Sequence, residues 1–299
     1  MDMLKIENLK KSFGDKDVLK GISLSVPEKS IFGFIGKNGA GKTTTMKTVL
    51  GLMKADKGEI YVNSEKVVYG QTSTNRYIGY LPDVPEYYSF MSAMEYLNFC
   101  GEITGLSKSE RVKRSQELLE LVGLKGEKHR IKGFSRGMKQ RLGIAQALLN
   151  KPKLLICDEP TSALDPVGRK EILDILMAVK NETTVLFSTH ILSDVERICT
   201  DIAFLNNGEV AIQGKLDDIK STYRTDEYII ETESEEPLDK LTKTFPYLQK
   251  TGRTMLKFKE NKHSIYEVMN YLTANKISVI KIERLEPTLE SLFMEVVKK

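Results

Sequence analysis

The stretch Gly36–Thr44, which reads Gly-Lys-Asn-Gly-Ala-Gly-Lys-Thr-Thr, constrains the fold of this chain more than any other. It has the spacing G-x-x-x-x-G-K-T. A short apolar run (30–35) precedes it, and a segment without glycine or proline (44–50) follows it with apolar residues at near-helical spacing. This context predicts a strand, a loop and a helix, with backbone N–H groups and the positive helix end converging on one point. The motif therefore predicts a nucleotide phosphate site, with Lys42 at the outer phosphates and the Thr43 hydroxyl on Mg²⁺.

Length and composition indicate two domains with real hydrophobic cores. The chain has 299 residues, 40% of them hydrophobic, and its 45 basic and 41 acidic residues are mixed along the sequence. A basic surface of the kind that binds nucleic acid is therefore not expected. Three cysteines without a C-x-x-C pair indicate a reduced, cytosolic protein. We find neither a signal peptide nor an apolar run of the roughly 20 residues that span a bilayer, so any membrane role is expected from the water side, on a partner.

The segments around the phosphate loop predict a sheet-based core. Residues 3–7 and 18–26 alternate between apolar and polar, as half-exposed antiparallel strands do. The turn predicted at 11–15 carries Phe13, and its position ahead of the phosphate loop favours adenine stacking over a core role. Further strands are predicted at 58–63 and 77–81.

The middle of the chain predicts a helical insertion. The strand at 77–81 ends at Pro82, and a second proline at 85 fixes an extended connection that places Asp83 just past the strand end. Helical periodicity then predicts a helical subdomain over about 92–150, with helices at 92–103, 108–122 and 136–149.

Two later strands end in candidate catalytic side chains. Leu154 to Cys157 is an apolar strand followed by Asp158 and Glu159. The first acid would hold Mg²⁺, and the second would orient or deprotonate a water; the alternative is a solvated strand end. Residues 183–190 form the next predicted strand, which ends in His190 at the same sheet edge, and this placement favours a functional role. His129 and His263 have no such placement and are expected to be surface residues. Cys157 sits inside a buried strand and is expected to be a small core residue.

With these elements in order, the chain resembles the nucleotide-binding subunits of ATP-binding cassette (ABC) transporters over about residues 1–220. The elements that carry the resemblance are the phosphate loop, the Asp83 connection, Phe134–Arg141, the Asp158–Glu159 pair, Ser162–Asp165 and His190. The resemblance implies an α/β phosphate-loop NTPase fold with a mixed sheet core, an antiparallel subdomain and a helical subdomain, in a domain that spans 1–222.

The resemblance also implies site residues and cofactors, namely ATP and Mg²⁺. Glu159 would be the general base, with His190 at the γ-phosphate and Lys42 at the outer phosphates. Thr43, Asp158 and Asp83 would serve the metal. The implied nucleotide-binding residues are Phe13, which would stack on adenine, then Gly36, Lys37, Asn38, Gly39, Ala40, Gly41, Lys42, Thr43 and Thr44, and, for the nucleotide of a second subunit, Ser135, Gly137 and Asp165.

Two positions depart from the usual family pattern. Asp83 replaces a glutamine, and an ionised carboxylate cannot donate a hydrogen bond. The signature, usually L-S-G-G-Q, is here Phe134-Ser135-Arg136-Gly137-Met138, so a cation is added and an amide is lost. Both variants resemble the exporter branch that moves drugs, antimicrobial peptides or lipids.

The C-terminal part predicts a second small domain over 223–299. Strand-like runs at 226–233, 246–250, 254–259 and 277–284 alternate with helical patterns at 238–244, 264–274 and 288–297. This order, β-α-β-β-α-β plus a closing helix, predicts a ferredoxin-like α+β domain. Our hypothesis is that it pairs two subunits.

Together these features predict an ATPase motor subunit at the cytoplasmic face of the membrane. Two copies, or one copy and a related subunit, would bind ATP head to tail and drive a separate permease received in the groove beside Asp83. A soluble ABC ATPase acting on ribosomes or DNA is the alternative, although such proteins usually carry two cassettes or long coiled coils. An unrelated phosphate-loop kinase would not explain Ser135-Arg136-Gly137 or Asp165. No nucleic-acid partner is expected.

Overall fold

The computed structural model describes residues 1–71, 73–222, 226–259, 264–285 and 288–298, and it describes 295–298 by their backbone alone. It divides into two compact units, Met1–Leu216 and Asp217–Lys299. This division lies slightly ahead of the boundary predicted at 222.

The first unit combines two sheets with helices. Its strands are β1 (Asp2–Phe13), β2 (Lys16–Pro27), β3 (Ile31–Gly36), β4 (Lys57–Val62), β5 (Glu65–Lys66), β6 (Ile78–Leu81), β7 (Leu154–Asp158), β8 (Thr184–Thr189), β9 (Asp201–Asn206) and β10 (Glu209–Lys215). Its helices are α1 (Lys42–Val49), α2 (Ala93–Ile103), α3 (Lys108–Leu121), α4 (Arg136–Ala147), α5 (Pro166–Val179) and α6 (Leu192–Ile198). A further helix, α7 (Leu216–Thr222), begins at the last residue of the first unit.

The two sheets confirm the predicted mixed core with an antiparallel subdomain. One sheet is antiparallel, in the order β2-β1-β4-β5. The other has the order β10-β9-β3-β8-β7-β6 and is parallel except for β10, which runs antiparallel to β9. Every residue of β3, β7 and β8 is buried, as expected for parallel strands covered on both faces. The parallel order brings the ends of β3, β7 and β8 to one edge of the sheet.

Two features of this unit differ from the sequence prediction. The turn expected at 11–15 is shorter, because β1 continues to Phe13, which pairs with Lys16 across Gly14 and Asp15. Gly14 supplies the positive φ that this tight turn requires. The hairpin of β9 and β10 was not predicted, although Asn207 and Gly208 between these strands both have positive φ, which is the usual chemistry of a two-residue hairpin.

The helical subdomain has α2, α3 and α4 at the predicted places. Ser92 and Ser107 begin α2 and α3 with capping boxes. Helix α4 packs closely on β6: a Cβ on Gly79 would lie 2.1 Å from the Ala147 carbonyl oxygen, and one on Gly143 would lie 2.4 Å from Leu81 Cδ1. These two glycines therefore fix α4 directly beside the strand that leads to Asp83.

The second unit is a small α+β domain, as predicted. Its elements are β11 (Glu227–Thr232), α8 (Glu236–Thr244), β12 (Gln249–Lys250), β13 (Met255–Lys259), α9 (Ile265–Ala274), β14 (Val279–Arg284) and α10 (Leu289–Lys298). The strands pair antiparallel in the order β12-β13-β11-β14, which is the split β-α-β arrangement of ferredoxin-like domains. Ile230, Leu256 and Phe258 form its core with residues of α8 and α9. In the part of the chain that the structure describes, no helix is long and apolar enough to cross a membrane.

Candidate active site

The loop between β3 and α1 has a shape that depends on glycine. Gly39 and Gly41 both have positive φ, 81° and 110°. A Cβ on Gly41 would lie 2.6 Å from Leu19 Cδ2, so a larger residue would also collide with β2. Helix α1 begins directly after Gly41, and its first turn contains no acidic residue. The first N–H groups of a helix have no intrahelical acceptors, so this position suits an anion.

Lys42 is held across the loop. Its Nζ donates to the carbonyl oxygens of Gly36 (2.7 Å) and Lys37 (3.3 Å) and lies 3.0 Å from Glu159 Oε1. Its side chain is only 6% exposed. The ammonium is thus fixed at the point where the loop, the start of α1 and the end of β7 meet.

Thr43 and Asp158, which the sequence assigns to the metal, are hydrogen-bonded to each other. The Thr43 hydroxyl donates to Asp158 Oδ2 at 2.8 Å. The other carboxylate oxygen, Oδ1, accepts from the Ser188 hydroxyl at 2.6 Å. Since Asp158 and Ser188 are also register partners between β7 and β8, the sheet itself orients this carboxylate.

Glu159 turns toward the same point. It follows the last residue of β7 and has a left-handed backbone, with φ of 48°. Its amide donates to Ser188 Oγ (3.0 Å), and its Oε2 lies 2.9 Å from His190 Nδ1. With Oε1 facing Lys42, the Glu159 carboxylate is held between a cation and an imidazole. Non-glycine residues with positive φ are uncommon and concentrate at functional sites.

Of these side chains, Lys42, Thr43, Glu159 and His190 line an open cavity of about 320 Å³. The lining residues are Val18, Asn38, Gly39, Gly41, Lys42, Thr43, Thr44, Asp83, Glu159, Ser162 and His190. Phe13 is not in this set. It ends β1, is 48% exposed, and has the Lys11 ammonium 5.3 Å from its ring centroid. Its adenine-stacking role stays a prediction.

Three predicted site residues lie at helix starts instead. Ser135 caps α4, its Oγ accepting from the Met138 amide at 3.2 Å, and Asp165 caps α5, its Oδ1 accepting from the Gly168 amide at 3.0 Å. A Cβ on Gly137 would meet nothing closer than Leu164 Cδ2 at 3.9 Å, so packing within the described residues does not require glycine there. None of the three belongs to the lining set of the cavity.

The Asp83 carboxylate is directed toward helix α4. Its Oδ1 lies 3.6 Å from an Arg136 guanidinium nitrogen. The main-chain carbonyl oxygen of Asp83 accepts a hydrogen bond from Gln140 Nε2 at 2.8 Å. Burial raises the pKa of Asp83; the Arg136 charge opposes this effect, while the negative charges of Asp158 and Glu159 add to it. The contacts of Asp83 therefore differ from those of Thr43 and Asp158, although all three were assigned to the metal from the sequence.

Sequence reasoning missed the residues that support the site. Ser188, which donates to the Asp158 carboxylate and accepts from the Glu159 amide, could have been noticed as a polar residue in an apolar strand. Another missed group is a buried network in which Asp194 accepts from Thr161 Oγ1 (2.7 Å) and from the Arg169 guanidinium (2.6 Å). This network connects α6 to α5 and to the loop that follows Glu159.

The structure describes two of the three residues for which no functional role was predicted. His129 is exposed and contacts Glu127, and Cys157 is fully buried, as predicted. His263 lies outside the described residues.

Comparison with known proteins gives consistent matches along the chain. The family "ABC transporter" matches residues 19–162, and the "ATP-binding protein DrrA1-3-like, C-terminal domain" matches residues 214–297. The chain is 38% identical to the ABC transporter ATP-binding protein YxlF of Bacillus subtilis, over 99% of each chain. It is 35% identical to the linearmycin resistance ATP-binding protein LnrL of the same organism, over 98% of this chain and 97% of that protein.

Solved structures give the same result for the first unit. An ATP-binding subunit of an ABC transporter has a TM-score of 0.66 at 34% identity and covers 74% of this chain and 93% of its own. The dimeric structure of the bacterial ABC transporter cassette MJ0796 has a TM-score of 0.65 at 28% identity and covers 72% of this chain and 99% of its own.

Proposed function

This chain belongs to the ABC transporter ATP-binding proteins, which hydrolyse ATP to drive transport, and on that premise we propose that it powers an exporter of antimicrobial or drug-like molecules. The relative named for linearmycin resistance, which matches almost the whole chain, supports this substrate class. The observation that carries the proposal is the convergence of Lys42, Thr43, Glu159 and His190 on one cavity at the phosphate loop, with Asp158 hydrogen-bonded to Thr43 beside it.

Two oxygen donors, one lining this cavity and one directly beside it, fit Mg²⁺. Thr43 Oγ1 and Asp158 Oδ2 are hard ligands already 2.8 Å apart, and the second would bind directly or through water. In the described residues no group of three or more His, Cys, Asp or Glu forms a complete metal site. This suits Mg²⁺, which usually keeps waters and phosphate oxygens among its ligands. When bound, the ion would neutralise charge on the phosphate oxygens.

Glu159 is the residue best placed to activate the attacking water. Its Oε2 would accept the proton of a water that attacks the γ-phosphate, and His190 Nδ1 holds that carboxylate in orientation. The backbone N–H groups at the start of α1 would bind the phosphates. Lys42, fixed by two carbonyl oxygens, would supply the cation.

Two subunits would complete each site. Ser135, Gly137 and Asp165 lie at helix starts outside the cavity, and the space beside Gly137 leaves room for a ligand to approach the backbone. A helix start with a serine cap and a nearby glycine suits an anion such as the γ-phosphate held by a second subunit. The dimeric cassette among the structural neighbours supports this arrangement.

The permease would dock on the helical subdomain. A cavity of about 1080 Å³ lies between β6 and the helices α2, α3 and α4, and it is lined by both polar and apolar side chains. We propose that this groove, together with the surface beside Asp83, receives a cytoplasmic segment of the permease. The motor would then act at the cytoplasmic face of the membrane.

We also propose that the C-terminal domain, taken as 223–299, supports pairing of the subunits. Its independent core makes removal feasible without loss of the first unit. A chain truncated after residue 222 should dimerise with ATP at higher concentration than the full chain. Normal dimerisation and turnover of the truncated chain would contradict this role.

The main test uses Glu159→Gln, which keeps the shape of the side chain and removes the base. The variant should bind ATP, release phosphate about 10²- to 10⁴-fold more slowly, and accumulate as a dimer in light scattering. Glu209→Gln, on the exposed face of β10, is the control and should behave as the parent. The chain should also co-purify from membranes with a multi-span protein whose loss removes drug resistance. Unchanged phosphate release in Glu159→Gln would refute the assignment of the base.

A further inference from the structure

The two positions that depart from the usual family pattern are in contact with each other. Asp83 follows β6 and Arg136 is the first residue of α4, 53 positions later, yet Asp83 Oδ1 and Arg136 Nη2 are 3.6 Å apart. A glutamine at 83 would carry no charge, and a glycine at 136 would have no side chain to reach it. The two departures thus form one ion pair.

This ion pair is one of three links between the 83–87 segment and the first turns of α4. Gln140, four residues after Arg136 and therefore on the same helix face, donates to the Asp83 carbonyl oxygen at 2.8 Å. The Tyr87 hydroxyl donates to the Lys139 carbonyl oxygen at 2.5 Å. Gln140 is 1% exposed, so this contact is well protected from water. The 83–87 segment and the start of α4 are thereby held as one unit.

Charge gives a reason for the pair. Asp83 lines the same cavity as Glu159 and feels the negative charges of Asp158 and Glu159. Placing a second carboxylate at this cavity, with the charge of Asp158 also nearby, would be unfavourable without a cation, and Arg136 is the cation whose charge opposes that effect. Arg136 in turn neighbours Ser135, the cap of α4.

We propose that Asp83 is a positioning residue, which sets the start of α4 through Arg136 and so aligns Ser135 and Gly137 for the nucleotide of the second subunit. The last step rests on the proposed function, whereas the link within the chain does not. Both side chains are about half exposed, so the effect is modest. The geometry thereby connects the cavity of one subunit to the helix start that serves the other.

The experiment is a double-mutant cycle with two readouts. We would compare three variants with the parent protein: Asp83→Asn, Arg136→Gln and the double variant. The first readout, without nucleotide, is the hydrogen-exchange rate of the α4 amides at 138–140. The same changes are then made in Glu159→Gln, and the ATP concentration for half-maximal dimerisation is measured. Glu171→Gln is the matched control, because it removes another 3.6 Å ion pair of α4, the one with Arg141, away from the helix start.

Each single variant should speed exchange at 138–140 and raise the half-maximal ATP concentration by about two- to fivefold, the range expected for a partly exposed pair. In the double variant, neither the exchange rate nor the half-maximal ATP concentration should exceed that of the single variants. The control should have the exchange rate and the half-maximal ATP concentration of its parent. Additive effects, or parent-like exchange in both single variants, would overturn the proposal. If no variant dimerises with ATP but exchange shows the non-additive pattern, the link stands and the proposed function fails.

Discussion

Removing the ammonium of Lys42 should destabilise the protein before any nucleotide is present. In Lys42→Met the carboxylate of Glu159 loses a cation at 3.0 Å, in a place where the two side chains are 6% and 12% exposed. Breaking a buried ion pair by removing one partner costs about 3–5 kcal/mol. Glu159 keeps His190 at 2.9 Å, so we expect the lower end, about 3 kcal/mol.

A second substitution makes this magnitude testable. Lys42→Met combined with Glu159→Gln leaves no unpaired charge, so it should cost less than Lys42→Met alone, with a coupling energy of about 2 kcal/mol. Unfolding of the nucleotide-free proteins would be followed by circular dichroism, with the transitions of the two units analysed separately. For a unit of this size, Lys42→Met should lower Tm by about 6–12 °C, and the double variant should recover much of that loss.

The same variants separate stability from ligand affinity. Titration with a fluorescent ATP analogue should give about 10- to 150-fold weaker binding for Lys42→Met, because a charge-assisted contact to phosphate is lost. Glu159→Gln should bind nearly as the parent does, since Lys42 keeps its contacts with Gly36 and Lys37. If the double variant is destabilised by the sum of the two single changes, the ion pair is not the source of the effect and the reasoning is wrong.

Three further changes test packing, a buried charge and pH. Gly143→Ala should destabilise by about 1–3 kcal/mol in urea unfolding, because its Cβ would overlap Leu81, whereas Gly133→Ala, with open space around it, should cost little. Asp194→Ala should cost about 1.5–3 kcal/mol by removing a charge-assisted hydrogen bond, and an unfolding midpoint equal to the parent's would contradict this. Burial, with the nearby charge of Asp158, raises the pKa of Tyr80 to about 12, so the stability from its neutral form is present below pH 10 and lost as pH rises through 12. Tyr80→Phe should flatten that alkaline part of the stability curve, and an identical curve would refute the assignment.

Local chemistry made much of the site predictable. The phosphate loop, the acid pair and His190 each follow or end a buried strand, and parallel strands bring such positions to one sheet edge. That is why Lys42, Thr43, Asp158, Glu159 and His190 were expected near one another. Contacts of 2.8–3.0 Å join Thr43 to Asp158, Lys42 to Glu159 and Glu159 to His190. The split β-α-β order of the C-terminal domain followed from the alternation of its strand and helix patterns.

Contacts between distant segments were not predictable in the same way. Ser188 meets Asp158 because of the register between β7 and β8, which a single sequence does not specify. Arg136 reaches Asp83 because Gly79 and Gly143 let α4 pack against β6. The sequence around either glycine does not indicate which segment it will contact. The turn was predicted to begin at residue 11, but β1 continues to Phe13. The sequence did not reveal this because polar residues such as those at 11 and 12 occur in exposed strand ends as well as in turns.

The left-handed backbone of Glu159 brings two adjacent acids to the start of the same helix, α1. In a regular strand, neighbouring side chains point to opposite faces, so Asp158 and its successor would be separated by the thickness of the sheet. The turn at Glu159 reverses this alternation and returns the second carboxylate to the side of the first. Position 159 therefore combines a special backbone geometry with an acidic side chain. β-Branched residues, which adopt this conformation with most difficulty, are disfavoured at position 159 by the main chain alone.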